Sequence, residues 1–569
     1  GVYGIEQIPA SMIERVEVMR GGGSALFGSS AIAGTINIIT KEPMRNSGML
    51  SHTITGIGDG DVFDNSTALN ASLVTDDQRA GLYIFGQNRH RSAYDHDGDG
   101  YSEIPKLHGQ TIGFRSFLKT TTYSKLTFEY HHMEEFRRGG DLLNRPPHEA
   151  NVAEQTEHSI NGGGLKFDYF SPNENHRFNV FASAQHINRD SYYGPGDRDP
   201  LDAYGNTTDL NWMAGSQYVY SFGKCIFMPS DLTAGIEFNQ DKLEDNMWGY
   251  NRTVDQKVNI GSAFLQNEWK NDHWGFLIGG RLDKHNLIDH VIFSPRANLR
   301  YNPTENINLR FSYSSGFRAP QAFDEDLHVE NVGGNVAMVE LADNLKEERS
   351  QSLSASADIY HRFGAFQVNF LVEGFYTKLS DVFALTDGEV VDGILTRTRH
   401  NASGAQVLGL TLEGKMAYLN KIQVQAGVTL QQSHYSKPHI WNKEAPAVKK
   451  MMRTPNTYGY FTATYTPIKP LSIALSGTYT GSMLVPHEPV PGFLENPITV
   501  NTKDFFDIGL KAAYDFKLYK SMNLQLNAGI QNIFNAYQDD FDKGADRDSG
   551  YIYGPSLPRS FFAGVKISY

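Results

Sequence analysis

Cysteine is almost absent: Cys225 stands alone in 569 residues. No internal disulfide can form, and an oxidising compartment suits such a chain only if that thiol is sheltered or harmless. Long apolar runs are lacking too. No stretch of about 18 apolar residues occurs, which excludes a membrane-spanning helix. A membrane is not thereby excluded. Barrel strands alternate apolar and polar residues, and a mean hydropathy of -0.42 is compatible with them. Basic excess is missing as well: 51 Lys and Arg face 64 Asp and Glu, a net charge of -13. Nucleic-acid binding feeds on a basic surface, so no nucleic-acid partner is expected. No H-E-x-x-H zinc pattern and no secretory leader is visible. Aromatics and glycine are what abound, with 34 Phe, 29 Tyr and 54 Gly. They suit strands, aromatic girdles and tight turns.

The hydrophobic pattern has period 2. In Ile307-Asn308-Leu309-Arg310-Phe311-Ser312-Tyr313 the odd positions are apolar and the even ones polar. Met522, Leu524, Leu526, Ala528 and Ile530 alternate in the same way with polar residues or glycine. About 22 such strand candidates follow residue 46. Their connections alternate in length. Turns near Asp76, Thr120, Asn173, Asn271, Pro303, Phe363, Asn420 and Lys469 are short. Between them lie mostly long connections: 94–107, 138–154, 190–207, 316–345, 434–452, 483–500 and 535–557. Outer-membrane barrels are built so, with short periplasmic turns and longer extracellular loops. The chain ends on Phe561, Ala563, Val565, Ile567 and Tyr569, one predicted outward face. The expected fold is therefore all-β: a transmembrane antiparallel barrel of about 22 strands, wide enough to need an internal plug.

The first residues supply that plug. Val16 and Val18, then Ile36 and Ile38, alternate with polar neighbours, and Gly21, Gly22 and Gly23 lie between the two runs. This reads as strand, glycine bend, strand. The string from Ile13-Glu14-Arg15-Val16-Glu17-Val18-Met19-Arg20-Gly21 through Asn37-Ile38-Ile39-Thr40-Lys41 closely resembles the last part of the plug domain of TonB-dependent outer-membrane receptors. Gly22 stands where that family usually has proline, and Ala33 where it usually has glycine. The resemblance implies that residues 1–46 are the C-terminal part of a plug and 47–569 the barrel. It also implies that the segment on which the TonB complex pulls precedes residue 1. Glu14, Arg15, Glu17 and Arg20 are expected to pair with charges of the lumen.

Three further motifs invite chemistry. Gly409-Leu410-Thr411-Leu412-Glu413-Gly414-Lys415-Met416 approaches a phosphate-binding loop but lacks its Ser/Thr and sits in an alternating strand. His131 and His132 are adjacent on a predicted strand, so they point to opposite faces and cannot share a metal. Asp95, Asp97 and Asp99, with Gly98 and Gly100, offer oxygen ligands at every second residue, as a structural calcium would need. Lys106 occupies the position of the closing acid of an EF-hand, so a solvated acidic loop is the competing reading.

Gly316-Phe317-Arg318-Ala319-Pro320 and Asn344-Leu345-Lys346-Glu347-Glu348 resemble a paired signature of the same family, with the second half degraded. His328 lies between them, where haem receptors of the family carry a haem-binding histidine. The stretches around Arg137-Arg138, Pro146-Pro147-His148-Glu149, Arg547-Asp548-Ser549-Gly550-Tyr551-Ile552-Tyr553 and Pro558-Arg559 resemble receptors of the Bacteroides group, cobamide transporters among them. The resemblance implies active import of a scarce large solute across the outer membrane, best a cobamide, with haem or a ferric siderophore as alternatives. A lipoprotein cap is a further implied partner, and outer-membrane lipid surrounds the barrel. No catalytic residues and no required cofactor are expected. A passive porin or an adhesin is the competing class. Arg137, Arg138, Tyr192, Tyr193, Arg547, Tyr551 and Tyr553 are the expected substrate grip, since Tyr and Arg cover a macrocycle and bond its amide rim.

Overall fold

The computed structural model describes residues 9–20, 23, 25, 28–32, 34–195, 203–332 and 335–569. Twenty-two antiparallel strands close a single barrel. The first wall strand is Ser47–Ile57 and the last Ser560–Ser568. They pair from Met49 with Ser568 to Ile57 with Ser560, which removes both sheet edges. The terminal strand alternates as expected, with Phe561, Val565, Ile567 and Tyr569 exposed on its outer side. On Ile307–Arg318, Leu309 and Phe311 are exposed outward. Arg310, Ser312 and Ser314 of the same strand line a lumen cavity. An apolar belt against lipid and a wet, polar lumen give each residue type its preferred solvent. No helix among the described residues is long and apolar enough to cross a membrane.

One end of the barrel carries tight turns, such as 122–123, 226–227, 305–306, 364–365, 469–470 and 520–521. The other end carries the long segments 319–347, 381–404, 440–456, 481–504 and 532–559. Several wall strands are far longer than a membrane requires. Tyr204–Cys225 has 22 residues and Met228–Met247 has 20. A spanning strand needs about 9–11 residues, so these walls rise well above the bilayer. That corrects the expected loops at 138–154 and 190–207. Arg137 and Arg138 lie in the strand Ser124–Gly140, and Tyr192 and Tyr193 in His176–Pro195.

The segment 381–404 escaped the sequence reading. It folds into the hairpin Phe383–Val391 and Ile394–Asn401. Asp392 and Gly393 turn it with φ of 51° and 71°. An Asp-Gly pair in that conformation is a strong hairpin signal. Ile394–Asn401 then pairs in parallel with Asn335–Leu341, which pairs with Glu330–Val332, making a four-stranded sheet over the barrel mouth.

Inside the barrel, Ile13–Arg20 pairs with Gly34–Thr40, Val18 opposite Ile36 and Val16 opposite Ile38. The bend residues Gly21 and Gly22 and the side chain of Arg20 fall outside the described residues. Arg15 pairs with Glu17 at 2.8 Å and Glu14 at 3.6 Å. Among the described residues these pairs stay within the plug strand, where Glu14, Arg15 and Glu17 were expected to pair with the lumen. Residues 15 and 17 share one face of the strand, so they meet each other first. Other groups hold the plug to the wall. Glu42 pairs with Arg115 and Lys125, each at 3.0 Å. Tyr83 donates to the Ser11 carbonyl at 2.7 Å, and Ser350 to the Ile32 carbonyl at 2.6 Å. Gly316 lets the plug approach: a Cβ there would lie 2.6 Å from the Ala31 carbonyl oxygen. A cavity of about 460 Å³ separates the plug from this side of the wall.

Candidate functional site

The long segments form a roof, and a cavity of about 360 Å³ lies beneath it. That volume is within the range of ligand sites. The wall strands that rise above the bilayer contribute Tyr193 and Glu154, and the roof contributes His328, Glu330, Arg547 and Tyr551. The roof has its own apolar core. Tyr192, Tyr193, Met247, Tyr250, Val329, Val336 and Met338 pack together, joining wall tips to the roof sheet. Tyr193 stacks edge-on against His328, centroids 5.1 Å apart.

The expected grip is only partly assembled. Tyr193, Arg547 and Tyr551 reach the cavity. Arg138 is 1% exposed and donates to the carbonyls of Gly139 and Asp141, so it braces its own strand end. Arg137 pairs with Glu135 at 2.8 Å. Tyr192 is sealed in the roof core against Tyr204. Tyr553 and Tyr551 both donate to Asp540, and Tyr551 stacks on His487 with centroids 3.7 Å apart. Burial first, and then the Asp540 carboxylate, push both phenols well above their usual range. They stay protonated donors. These aromatics therefore serve first as internal struts, because bulky amphipathic side chains near a rim bury whenever a carboxylate or carbonyl can satisfy the hydroxyl.

Arg547 is tied down as well. It bonds Asp99 and Glu103, the latter at 3.0 Å, clamping segment 532–559 to segment 92–101. The Asp95, Asp97 and Asp99 carboxylates do converge, with ligand oxygens within 4.8 Å of one another. Their present partners are internal. Asp95 accepts the Gly98 and Gly100 amides, and Lys543 lies 3.5 Å from Asp97. The oxygen donors suit a hard cation, while Lys543 and Arg547 compete for the same charge. The near phosphate-loop motif lies wholly within the wall strand Ala405–Tyr418.

The cavity lining is acidic: Glu103, Glu154, Glu330, Asp542 and Asp548 face one arginine and one histidine. Its walls are otherwise apolar and aromatic, with Tyr101, Val152, Val336, Phe541 and Ile552. Such a lining favours an uncharged or cationic solute rich in N–H donors and repels a multiply charged anion. Sequence reasoning missed Glu330 and Glu154 because acids in a long segment look like ordinary solvated residues.

A closed barrel, an internal hairpin and a roofed cavity form the context for the family match. The model for the TonB dependent receptor-like β-barrel matches residues 48–533, and that for the TonB-dependent receptor plug domain matches 1–35. The chain belongs to the TonB-dependent receptor family. It is an outer-membrane protein of a family of receptors rather than enzymes. Among curated receptors it is 26% identical over 353 residues to an iron-regulated outer membrane virulence protein of Vibrio cholerae, covering 58% of this chain and 49% of that protein. It is 22% identical over 337 residues to the vitamin B12 transporter BtuB of Vibrio vulnificus, covering 57% and 50%. The chain thus spans about half the length of the curated relatives it matches. The siderophore receptor PirA of Acinetobacter baumannii superposes with a TM-score of 0.78 at 16% identity, over 99% of this chain and 86% of that one. At that identity the likeness shows the receptor fold alone.

Proposed function

We propose that this receptor imports a cobamide across the outer membrane, with the energised TonB complex displacing the plug. The observation that carries the substrate reading is the lining of the cavity, acidic and aromatic at once; its volume of about 360 Å³ takes in only one edge of so large a solute. A cobamide offers a rim of amide N–H donors to carboxylates and a broad face to Tyr193 and Tyr551. Ferric catecholates carry several negative charges and meet Glu154, Glu330 and Asp548 unfavourably. The matched vitamin B12 transporters add weight, and the iron-regulated relative keeps an iron-linked solute in view. A haem reading is favoured by one feature, His328 on the cavity wall. We also infer a structural calcium at Asp95, Asp97 and Asp99, and a surface lipoprotein as a partner for the roof.

A binding panel of cyanocobalamin, haem and a ferric catecholate on purified receptor tests the substrate. Cyanocobalamin is expected to bind alone of the three. Tyr551→Ala should weaken it at least about tenfold, near 1.4 kcal/mol, by removing an aromatic anchor. His328→Ala should change it little. A haem Soret shift abolished by His328→Ala, with no cyanocobalamin affinity, replaces this reading with the haem one.

A further inference from the structure

One guanidinium in the roof gathers carboxylates from three of its segments. Arg397, on the hairpin strand Ile394–Asn401, contacts Glu330 at 2.7 Å, Asp387 at 3.0 Å and Glu488 at 3.3 Å. Asn442 donates to Asp387 at 3.2 Å and to Glu488 at 3.0 Å. The Glu488 backbone amide donates to Asp548 at 3.0 Å. Beside it His487 contacts Asp542 at 3.0 Å. Arg453 approaches the same place but binds the backbone carbonyls of Gly550 and Ile552. Segments 319–347, 381–404, 440–456, 481–504 and 532–559 thus meet at one knot. Glu330, Asp542 and Asp548 also line the cavity.

The charges do not balance. Asp387, Glu488 and Asp548 are buried, and with Glu330 they set four carboxylates around one guanidinium. A buried carboxylate without a full counter-charge is costly, and a proton is the cheapest relief. We propose that Arg397 and Glu488 form a proton-operated latch that locks the five extracellular segments over the cavity when Glu488 is protonated. Burial first, then the Asp387 and Asp548 charges, outweigh Arg397 and push Glu488 from 4.5 up to about 7. Burial raises Asp548 in the same direction. In the unlatched roof Glu488 returns toward its ordinary value. The latched state therefore holds a proton that the open state releases. The contribution is full below about pH 4.5 and fades as pH rises to about 7. Arg397 is a positioning residue here: it reaches the cavity through Glu330 and, by way of Glu488 and its backbone amide, through Asp548.

This inference does not depend on which solute is imported, so its test uses no ligand. Amide hydrogen exchange of residues 383–401 and 484–501 is followed in the purified, lipid-embedded receptor from pH 5 to pH 8, corrected for the intrinsic chemical rate. Opening should rise by at least about tenfold across that range, one power of ten per unit of displaced pKa. Glu488→Gln imitates the protonated acid and should stay closed, with a flat profile. Arg397→Met should open at every pH, and Arg397→Lys should restore part of the closure. Exchange of the wall strands reports that each variant has assembled. A wild-type profile that is flat, or a Glu488→Gln profile as steep as wild type, overturns the latch.

Discussion

Arg547 shows how a side chain with a plausible binding role can be taken up by the fold. Its guanidinium bonds Asp99 and Glu103 and stands where a calcium would draw on the same carboxylate. A calcium bound there would compete with Arg547 for Asp99. Calcium should therefore protect segment 92–101 from proteolysis, and Asp97→Asn with Asp99→Asn should abolish that response. Arg547→Gln should loosen the segment in chelator yet leave calcium protection intact. Equal protection with calcium and with chelator in the wild type would refute the site. The spacing of Asp95, Asp97 and Asp99 was legible in the sequence, because alternate residues of a turn carry it. Arg547 lies about 450 positions away, and nothing local announces that contact. The same blindness applied to Arg138 and Tyr192, whose types suit a ligand and whose burial only the fold reveals.

Strands were the most readable elements. Period-2 alternation fixes which face meets lipid, so Leu309, Phe311 and the terminal set Phe561 to Tyr569 fell on the outer side as expected. The protruding wall tips and the roof sheet were not readable in that way. Above the bilayer both faces of a strand meet protein or water, and the apolar-out rule no longer marks strand ends. The hairpin around Asp392-Gly393 did carry a local signal, its turn pair between alternating apolar residues. The terminal strand has a role that follows from its pairing on both sides, with Ser47–Ile57 and Met522–Gln531. Deleting residues 561–569 should leave two open edges and prevent surface assembly. Normal amounts of the shortened protein at the cell surface would show that the closing strand is dispensable.

On the proposed function, barrel, plug and roof together make a gated route rather than a pore. Among the described residues, ion pairs of modest strength tie the plug to the wall. The Glu42 pairs with Arg115 and Lys125 are partly exposed, and such pairs each contribute roughly 0–1 kcal/mol. Polar seams of this kind rearrange under a pull more readily than an apolar core. The lumen cavity beside the plug is lined by Ser312, Ser314, Ser354 and Ser356 together with Arg296, Arg310, Asp358 and Glu373 of the wall. Cobamide import driven through the plug is the central claim. It is tested most directly by uptake of radiolabelled cyanocobalamin into cells that carry this receptor as their sole route, before and after the proton-motive force is collapsed. Accumulation above the outside concentration, lost on collapse, is the predicted result. Entry that is unaffected by collapse, or no entry while a ferric siderophore accumulates, would contradict it.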